Sequence, residues 1–293
     1  MNKKKAQNRF VFACLAPAVI LVVIFMVIPT IDVFKTAFFK KSNFVSDATF
    51  AGFFNFKVLF NDMRFIEAMQ NTILYVVLIT IITLVLAVLF ATLLTREEFV
   101  GKNFFRVIFY IPNILSIVVI AGIFSAIYQP TNGILNTFFG MIGLSSLQQQ
   151  WMGNPAVINY SIIGALVWQA IGYYMVMHVA SIDGISQEVY EAASIDGATG
   201  VQKFFRITIP LLRRSIGTTY ILSLSGTINL SFTLSNVMTG GGPNGASSVL
   251  LQYMYTQGMR NANFGYAMAI AMFTLILAIV LAMISKKVSS EKE

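Results

Sequence analysis

Charged residues are scarce in this sequence: they make up 11% of its 293 residues, whereas hydrophobic residues make up 57%. A water-soluble domain has roughly 25% charged residues, so this chain lacks the polar groups that would cover a water-facing surface. It has six apolar runs instead, and about 20 apolar residues in one helix cross a bilayer. The runs are Phe10–Ile28, Ile73–Leu94, Val107–Tyr128, Ile158–Ala180, Ile216–Met238 and Phe264–Ile284. We therefore predict an all-α, polytopic membrane helix bundle with six transmembrane helices.

Cysteine and histidine are nearly absent, with one residue of each, Cys14 and His178. A single cysteine cannot form an internal disulfide. The chain also has no paired carboxylates, no cluster of metal-ligand residues and no nucleophile with a nearby histidine base. These absences argue against an intramembrane enzyme and against a metal site.

The sequence also lacks the features by which a membrane protein uses ATP or an ion gradient as its own energy source. It has no G-x-x-x-x-G-K-[ST] loop to hold ATP phosphates, and "TGGGPNG" (Thr239–Gly245) has no lysine and reads as a tight turn. All twelve acidic residues lie in loops or at the ends of the apolar runs. Ion-coupled secondary transporters usually place ionisable residues at mid-membrane. Such a transporter is the alternative from a different class, and the acidic residues disfavour it.

The net charge of +8 is distributed along the chain in a way that predicts orientation rather than nucleic-acid binding. Cytoplasmic loops are enriched in Lys and Arg. With both termini in the cytoplasm, the inner segments would hold Lys3, Lys4, Lys5, Arg9, Arg96, Lys102, Arg106, Lys203, Arg206, Arg213, Arg214, Lys286, Lys287 and Lys292. The outer segments would hold only Lys35, Lys40, Lys41, Lys57, Arg64 and Arg260.

One polar inner segment, "EVYEAASIDGATGVQKFFRITIPLL" (Glu188–Leu212), predicts two short helices joined at a glycine. Ser186 is placed as the N-cap of the first helix, and Gly197 supplies the left-handed conformation that ends it. Thr199 and Gln202 predict a capping box for the second helix, which we expect to stop at Pro210. By physical reasoning alone, the pair is either an interfacial element or a docking element for another protein.

This segment resembles the EAA loop of ABC importer permeases. Glu191-Ala192-Ala193, Gly197 and Ile209-Pro210 stand at the family's spacing, with isoleucine where the family has leucine before the proline. Further stretches are similar to the carbohydrate branch of that family. They are "QNTILYV" (Gln70–Val76), "RVIFYIPNILS" (Arg106–Ser116), "NGILN" (Asn132–Asn136), "VMTGGGPNGASS" (Val237–Ser248) and "FGYAMAIAM" (Phe264–Met272).

The resemblance implies a type I ABC importer permease in the bacterial cytoplasmic membrane. Its implied partners are a second, different permease subunit, two ATP-binding subunits that carry ATP and Mg²⁺, and an external solute-binding protein; this chain itself binds no cofactor. The coupling residues implied by the EAA loop are Glu191, Ala192, Ala193, Asp196, Gly197 and Pro210. We expect residues 1–65 to form a tail, the first span and an external segment, and residues 66–293 to form a five-helix core with the coupling loop at about 181–212.

A stripe of polar residues in the fifth run predicts one wall of a path for substrate. Its members Asn229, Thr233 and Asn236 lie on one helix face. The other interpretation is hydrogen bonding between helices, at about 1 kcal/mol for each bond. The fourth run would add aromatic rings and an amide to this path, from Trp168, Tyr173 and Gln169. The other interpretation of the two aromatic residues is that they are anchors at the membrane interface. Because no charged residue lies mid-run, these groups favour a neutral oligosaccharide. A glycerol phosphate or another polyol is the alternative substrate.

Overall fold

The computed structural model describes the backbone of residues 3–95 and 101–290 and the side chains of residues 7–95 and 101–283. Several basic residues that predicted the orientation therefore lie outside the described side chains, namely Lys3, Lys4, Lys5, Arg96, Lys286, Lys287 and Lys292. The described α-helices are α1 (Lys3–Val22), α2 (Ile28–Thr36), α3 (Phe54–Asn61), α4 (Met63–Leu94), α5 (Lys102–Ile114), α6 (Ile117–Ile127), α7 (Ile134–Met141), α8 (Ile158–Asp183), α9 (Gln187–Ile195), α10 (Gly200–Lys203), α11 (Ile209–Met238), α12 (Leu250–Tyr255) and α13 (Phe264–Ser290).

The chain forms two compact units. The first comprises Met1–Asp62 and Met254–Leu275, and the second comprises Met63–Tyr253 and Ile276–Glu293. In the first unit, a π-helical turn (Val23–Val27) joins α1 to α2, and helix continues beyond Pro29 to Thr36. The expected end of the first run at Ile28 is therefore wrong. Proline is tolerated there because it lies two residues after the π-helical turn, which shifts the carbonyl acceptors by one residue and so accommodates a residue without an N–H.

A small antiparallel hairpin follows in the first unit, with β1 (Phe39–Lys40) paired to β2 (Thr49–Phe50). Asn55 is buried and its Nδ2 donates to the carbonyls of Ala37 and Phe39 at 2.8 and 2.9 Å. This amide fixes the chain that enters the hairpin, because a buried donor without a partner would be costly.

The second unit is built around α4, α8 and α11. One buried apolar cluster surrounds Tyr75, Ile162 and Leu234. A second cluster includes Ala87 and Ala91 of α4, which lie one turn apart and let neighbouring helices approach. Small residues serve this purpose in membranes, where helices associate by close packing because lipid is as apolar as the helix surface.

Gly172 is the point of closest approach between α8 and α5. A Cβ at this position would overlap the backbone carbonyl of Phe109 and the backbone of Tyr110. Neither neighbour can move without displacing helix α5, because both contacts are with backbone atoms. The position therefore requires glycine.

Replacing Gly172 with alanine should lower the stability of the protein by about 1–3 kcal/mol, the usual cost of overpacking. Gly122 of α6 is the matched control, because a Cβ there would meet nothing within 4 Å. Thermal unfolding in detergent measures both variants. We expect Gly122→Ala to keep or slightly raise the unfolding temperature, and equal unfolding temperatures for the two variants would contradict the close approach.

Four helices in the described part of the chain are long and apolar enough to cross a membrane: Gln7–Thr36, Met63–Leu94, Ile158–Asp183 and Phe264–Met283. The pair α5 and α6 adds a fifth if it counts as one span, although the two helices are bent by 103°. Helix α11 spans 30 residues but is more polar. The count of six spans stays a prediction.

From the sequence, Pro112 predicts a break of the third run at Pro112–Asn113, because proline removes a helix hydrogen bond. That prediction is wrong: the bend between α5 and α6 lies at Leu115–Ser116. Helix α5 continues through Pro112 to Ile114, and Leu115 and Ser116 then adopt extended backbone conformations. The Ser116 side chain accepts a hydrogen bond from the Val119 N–H at 3.4 Å. The chain turns here because a serine N-cap can start a new helix, whereas proline alone only removes one bond.

Candidate functional site

The inner segment after α8 begins with helix α9, which starts directly after Ser186 as predicted. Its end also agrees with the sequence. Gly197 has φ +78°, and the Ala198 N–H donates to the Ala193 carbonyl at 2.9 Å. Glycine adopts this left-handed conformation without the steric cost that a Cβ brings.

The predicted capping box of α10 is present. The Thr199 N–H donates to Gln202 Oε1 at 2.7 Å, and the Gln202 N–H donates to Thr199 Oγ1 at 3.3 Å. These reciprocal bonds satisfy two N–H groups of the first turn and fix the direction in which the chain leaves Gly197.

The second helix does not stop at Pro210, and that expectation is wrong. A π-helical turn (Phe204–Thr208) joins α10 to α11, and Pro210 lies in the first turn of α11. The sequence spacing also predicts that Val201, Phe204, Phe205 and Thr208 share one face of this helix, and the extra residue in the π turn breaks that face. Val201 and Phe205 are exposed, whereas Thr208 is buried.

Polar contacts join α9 to α10 and to the π-helical turn that precedes α11. The Tyr190 hydroxyl lies 3.0 Å from Thr208 Oγ1, and Lys203 Nζ hydrogen-bonds to Ser194 Oγ. Arg106 and Asp183 approach to 3.9 Å at the end of α8. A cavity of about 690 Å³ separates α9 and α10 from the ends of α4 and α8.

The predicted coupling residues lie together on this segment, and most are accessible. Glu191, Ala192, Asp196 and Gly197 are exposed, and Ala193 is half-buried. Ile195 is 87% exposed, which is unusual for a large aliphatic side chain and leaves an apolar tip on the segment.

Helix α11 has two polar faces, and the sequence analysis identified only one of them. The predicted path residues lie on the more accessible face: Asn229 is exposed, and Thr233 and Asn236 are half-buried. The other face has a hydroxyl residue at every fourth position and is buried. Its members are Thr219, Ser223, Thr227, Ser231 and Ser235.

The buried hydroxyl face packs against other helices. Ser223 Oγ donates to Thr80 Oγ1 of α4 at 3.2 Å. Ser231 and Thr219 bond to carbonyls of their own helix. This face therefore accounts for helix packing. The face of Asn229, Thr233 and Asn236 stays more accessible, with Asn236 Oδ1 accepting a long hydrogen bond from Gln252 Nε2 at 3.5 Å. The four-residue period of serine and threonine would have been a signal for the buried face.

The predicted path residues of α8 point in different directions. Trp168 is half-exposed and packs edge-on against Phe124, and Tyr173 packs against Tyr174. Gln169 is buried, and its Oε1 has no hydrogen-bond partner among the described residues. His178 is fully buried, with Nδ1 3.3 Å from Ser215 Oγ and Nε2 3.4 Å from Thr219 Oγ1. These contacts agree with a packing role for the histidine.

Comparison with known proteins assigns the family. The family described as "Binding-protein-dependent transport system inner membrane component" matches residues 83–291. The "Probable ABC transporter permease protein YurN" of Bacillus subtilis is 35% identical, and the alignment covers 96% of each chain. The "Multiple sugar-binding transport system permease protein MsmF" of Streptococcus mutans is 29% identical over the full length of both chains.

A solved structure agrees with this assignment. The crystal structure of a bacterial ABC transporter involved in the import of the acidic polysaccharide alginate contains a chain that is 25% identical. It superposes with a TM-score of 0.85 and covers 99% of this chain and 98% of that one. The chain therefore belongs to the family of binding-protein-dependent transport system inner membrane components, as an ABC importer permease subunit with the type I permease fold.

Proposed function

We propose that this chain forms half of the translocation path for a neutral oligosaccharide, which an external solute-binding protein delivers. The observation that carries the proposal is the accessible amide and hydroxyl face of α11, formed by Asn229, Thr233 and Asn236. Between Ser215 and Met238 this helix has no charged residue. Such a face offers hydrogen bonds to sugar hydroxyls and offers no ion pair to a phosphate.

The relatives support a sugar as the substrate class. MsmF is named as a permease of a multiple sugar-binding transport system, and the solved transporter imports the polysaccharide alginate. Alginate is acidic, whereas the accessible face of α11 is uncharged. We therefore propose a neutral sugar for this chain and do not assign alginate to it. Trp168, Gln169 and Tyr173 are proposed as further path residues on α8.

We further propose four partner subunits or proteins around the chain: a second, different permease, two ATP-binding subunits and the binding protein. ATP and Mg²⁺ would bind the ATP-binding subunits. Both termini would then lie in the cytoplasm, together with the segment at about 181–212 that holds α9 and α10, which we call the coupling segment. Residues 66–293 would form the five-helix core, and residues 1–65 would precede it as a tail, a span and an external segment.

In the proposed mechanism, ATP binding closes the two ATP-binding subunits around α9. The carboxylates of Glu191 and Asp196 and the apolar tip of Ile195 would contact the ATP-binding subunit. Because Tyr190 and Thr208 join α9 to the start of α11, movement of α9 would rotate the helix that carries the path residues. The path would open alternately to the two sides of the membrane.

Uptake into vesicles tests this function. The chain is reconstituted with the second permease and ATP-binding subunits, and the binding protein is supplied outside with a panel of labelled maltooligosaccharides and glycerol 3-phosphate. We expect oligosaccharide uptake that requires internal ATP and persists when an ionophore collapses the ion gradients. Uptake that stops with the ionophore would indicate a gradient-driven carrier, and uptake of glycerol 3-phosphate alone would indicate the other substrate class.

A further inference from the structure

Two sequence stretches that the proposed mechanism leaves unused meet in the structure, namely Gln70–Val76 and Val237–Ser248. The first lies in α4, and the second contains the glycine-rich turn formed by residues 239–248. We call it the external turn, because the proposed orientation puts it on the side opposite to the coupling segment. Asn71 Nδ2 donates to the carbonyls of Ala246 and Ser248 at 2.8 and 2.9 Å. One side chain thus fastens the end of the external turn to α4.

Two further polar side chains hold Asn71 in place. Asn159, in the first turn of α8, donates from Nδ2 to Asn71 Oδ1 at 3.0 Å. The hydroxyl of the fully buried Tyr75 donates to Asn159 Oδ1 at 2.9 Å. Each donor in this chain meets an acceptor, so the amide of Asn71 is oriented with its two N–H bonds toward the turn. The chain of bonds joins α4, α8 and the external turn.

Additional bonds make the external turn part of the helix bundle. Arg64 Nη1 hydrogen-bonds to the Asn244 carbonyl, and the Leu250 N–H donates to Thr72 Oγ1 at 2.9 Å. Ser235 of α11 donates from Oγ to the Ser247 carbonyl at 2.7 Å. The turn has too many fixed contacts to move independently of the helix ends.

Helix α8 connects this network to the coupling segment. From Asn159 to Asp183 it extends roughly 36 Å at 1.5 Å per residue. Helix α9 begins shortly after, at Gln187. A close-packed helix moves as a rod, so displacement of α9 at one end is expected to reach Asn159 at the other.

We propose that Asn71 is a positioning residue for energy coupling: it makes the external turn, the outer ends of α4 and α8, and the coupling segment move as one body. The inference rests on the proposed function, because it requires transport driven from α9. Coupling between two sites is reciprocal, so the state of the outer face would also set the ATPase rate.

Asn71→Asp tests the link. Aspartate has the same shape and still accepts from Asn159, but it cannot donate to the two carbonyls and places a negative charge beside them. In the complete transporter, we expect stimulation of ATP hydrolysis by the loaded binding protein to fall tenfold or more, since two hydrogen bonds and an added repulsion are involved. We expect ATP hydrolysis without binding protein to stay within twofold of the wild type.

Asn136→Asp is the matched control. Asn136 is buried, whereas Asn71 is half-buried, and its Nδ2 also donates to two carbonyls, those of Pro130 and Gln149, at 3.0 and 2.9 Å. It lies in helix α7 of the same unit and has no bond to the external turn among those described. We expect this variant to keep its stimulation within twofold.

The outcomes separate the possibilities. Unchanged stimulation in Asn71→Asp, or an equal loss in Asn136→Asp, would overturn the positioning role, because the second result would indicate general destabilisation. Absence of ATP-dependent uptake in the wild-type transporter would instead contradict the proposed function itself. Asn159→Asp, which loses the donor to Asn71 Oδ1, should lower stimulation in the same direction.

Discussion

Replacing Gly197 with valine is expected to abolish sugar uptake while the ATP-binding subunits continue to hydrolyse ATP. Gly197 has φ +78°, where a residue with a Cβ pays about 1–2 kcal/mol, and a β-branched residue is a clear outlier. The strain is relieved by changing the angle between α9 and α10, which moves Glu191 and Ile195 away from their partner. Measuring uptake and ATP hydrolysis on the same vesicles checks the prediction.

The control for this variant is Gly143→Val. Gly143 has φ +76°, and a Cβ there would meet nothing within 4 Å, as at Gly197. The backbone strain is therefore the same, but the site lies in the loop after α7. Glu191→Lys tests the same surface through charge and should also uncouple uptake from hydrolysis. Normal uptake in Gly197→Val and in Glu191→Lys would contradict the coupling role.

The double replacement Asn229→Leu with Thr233→Val is expected to lower oligosaccharide uptake by roughly tenfold or more, because each lost hydrogen bond to the sugar is worth about 1 kcal/mol. Within the part of the chain that the structure describes, these side chains make long bonds to their own helix, at 3.4 and 3.3 Å, and no others. They can therefore release those bonds to a substrate. The measurement is the uptake rate at a saturating concentration of loaded binding protein.

Ser231→Ala is the control on the opposite face of α11. Ser231 is buried and donates to the carbonyl of Ile228 in its own helix at 3.0 Å. Removing this hydroxyl should leave uptake within twofold. An equal loss in both variants would assign the accessible face to helix packing and not to the path.

The sequence predicts short-range features of this chain well. The left-handed Gly197 and the capping box of Thr199 and Gln202 are confirmed, and α9 starts directly after Ser186, although the Ser186 side chain makes no capping hydrogen bond. Each depends on two or three neighbouring residues and on backbone groups that must be satisfied locally. The family assignment is also confirmed by the family match. It could be predicted from the sequence because the EAA spacing is long and specific.

The helix ends and the helix break that the sequence analysis predicted wrongly all lie at prolines. The first run was expected to end at Ile28, just before Pro29, and the second coupling helix at Pro210, yet each proline lies inside a helix two residues after a π-helical turn. A π turn shifts the pattern of carbonyl acceptors by one residue, so that a residue without an N–H can enter the helix. Nothing in the hydrophobic period of the sequence marks such a turn. Pro112 likewise lies inside α5, and the chain bends after Ile114, at Leu115–Ser116.

The structure also divides residues that the sequence analysis did not separate. Polar residues of α11 recur at several spacings, and the fold assigns Ser223 and Ser235 to a buried face and Asn229 to an accessible one. The bonds between Asn71 and the external turn join residues about 175 positions apart, as in the Asn71–Ala246 contact. Such long-range partners cannot be predicted from local pattern.

Cross-linking of the inner segment to the ATP-binding subunit tests the central claim most directly. Cys14 is the only cysteine, so a Cys14→Ser background removes native thiols from this chain. Ile195→Cys places a thiol at the exposed tip of α9, and Val45→Cys places one at a position of the hairpin that is 93% exposed. Our account predicts that only Ile195→Cys cross-links to a cysteine in the cleft of the ATP-binding subunit, with a yield that changes when ATP binds. Failure of Ile195→Cys to cross-link in a transporter that still takes up sugar would contradict it.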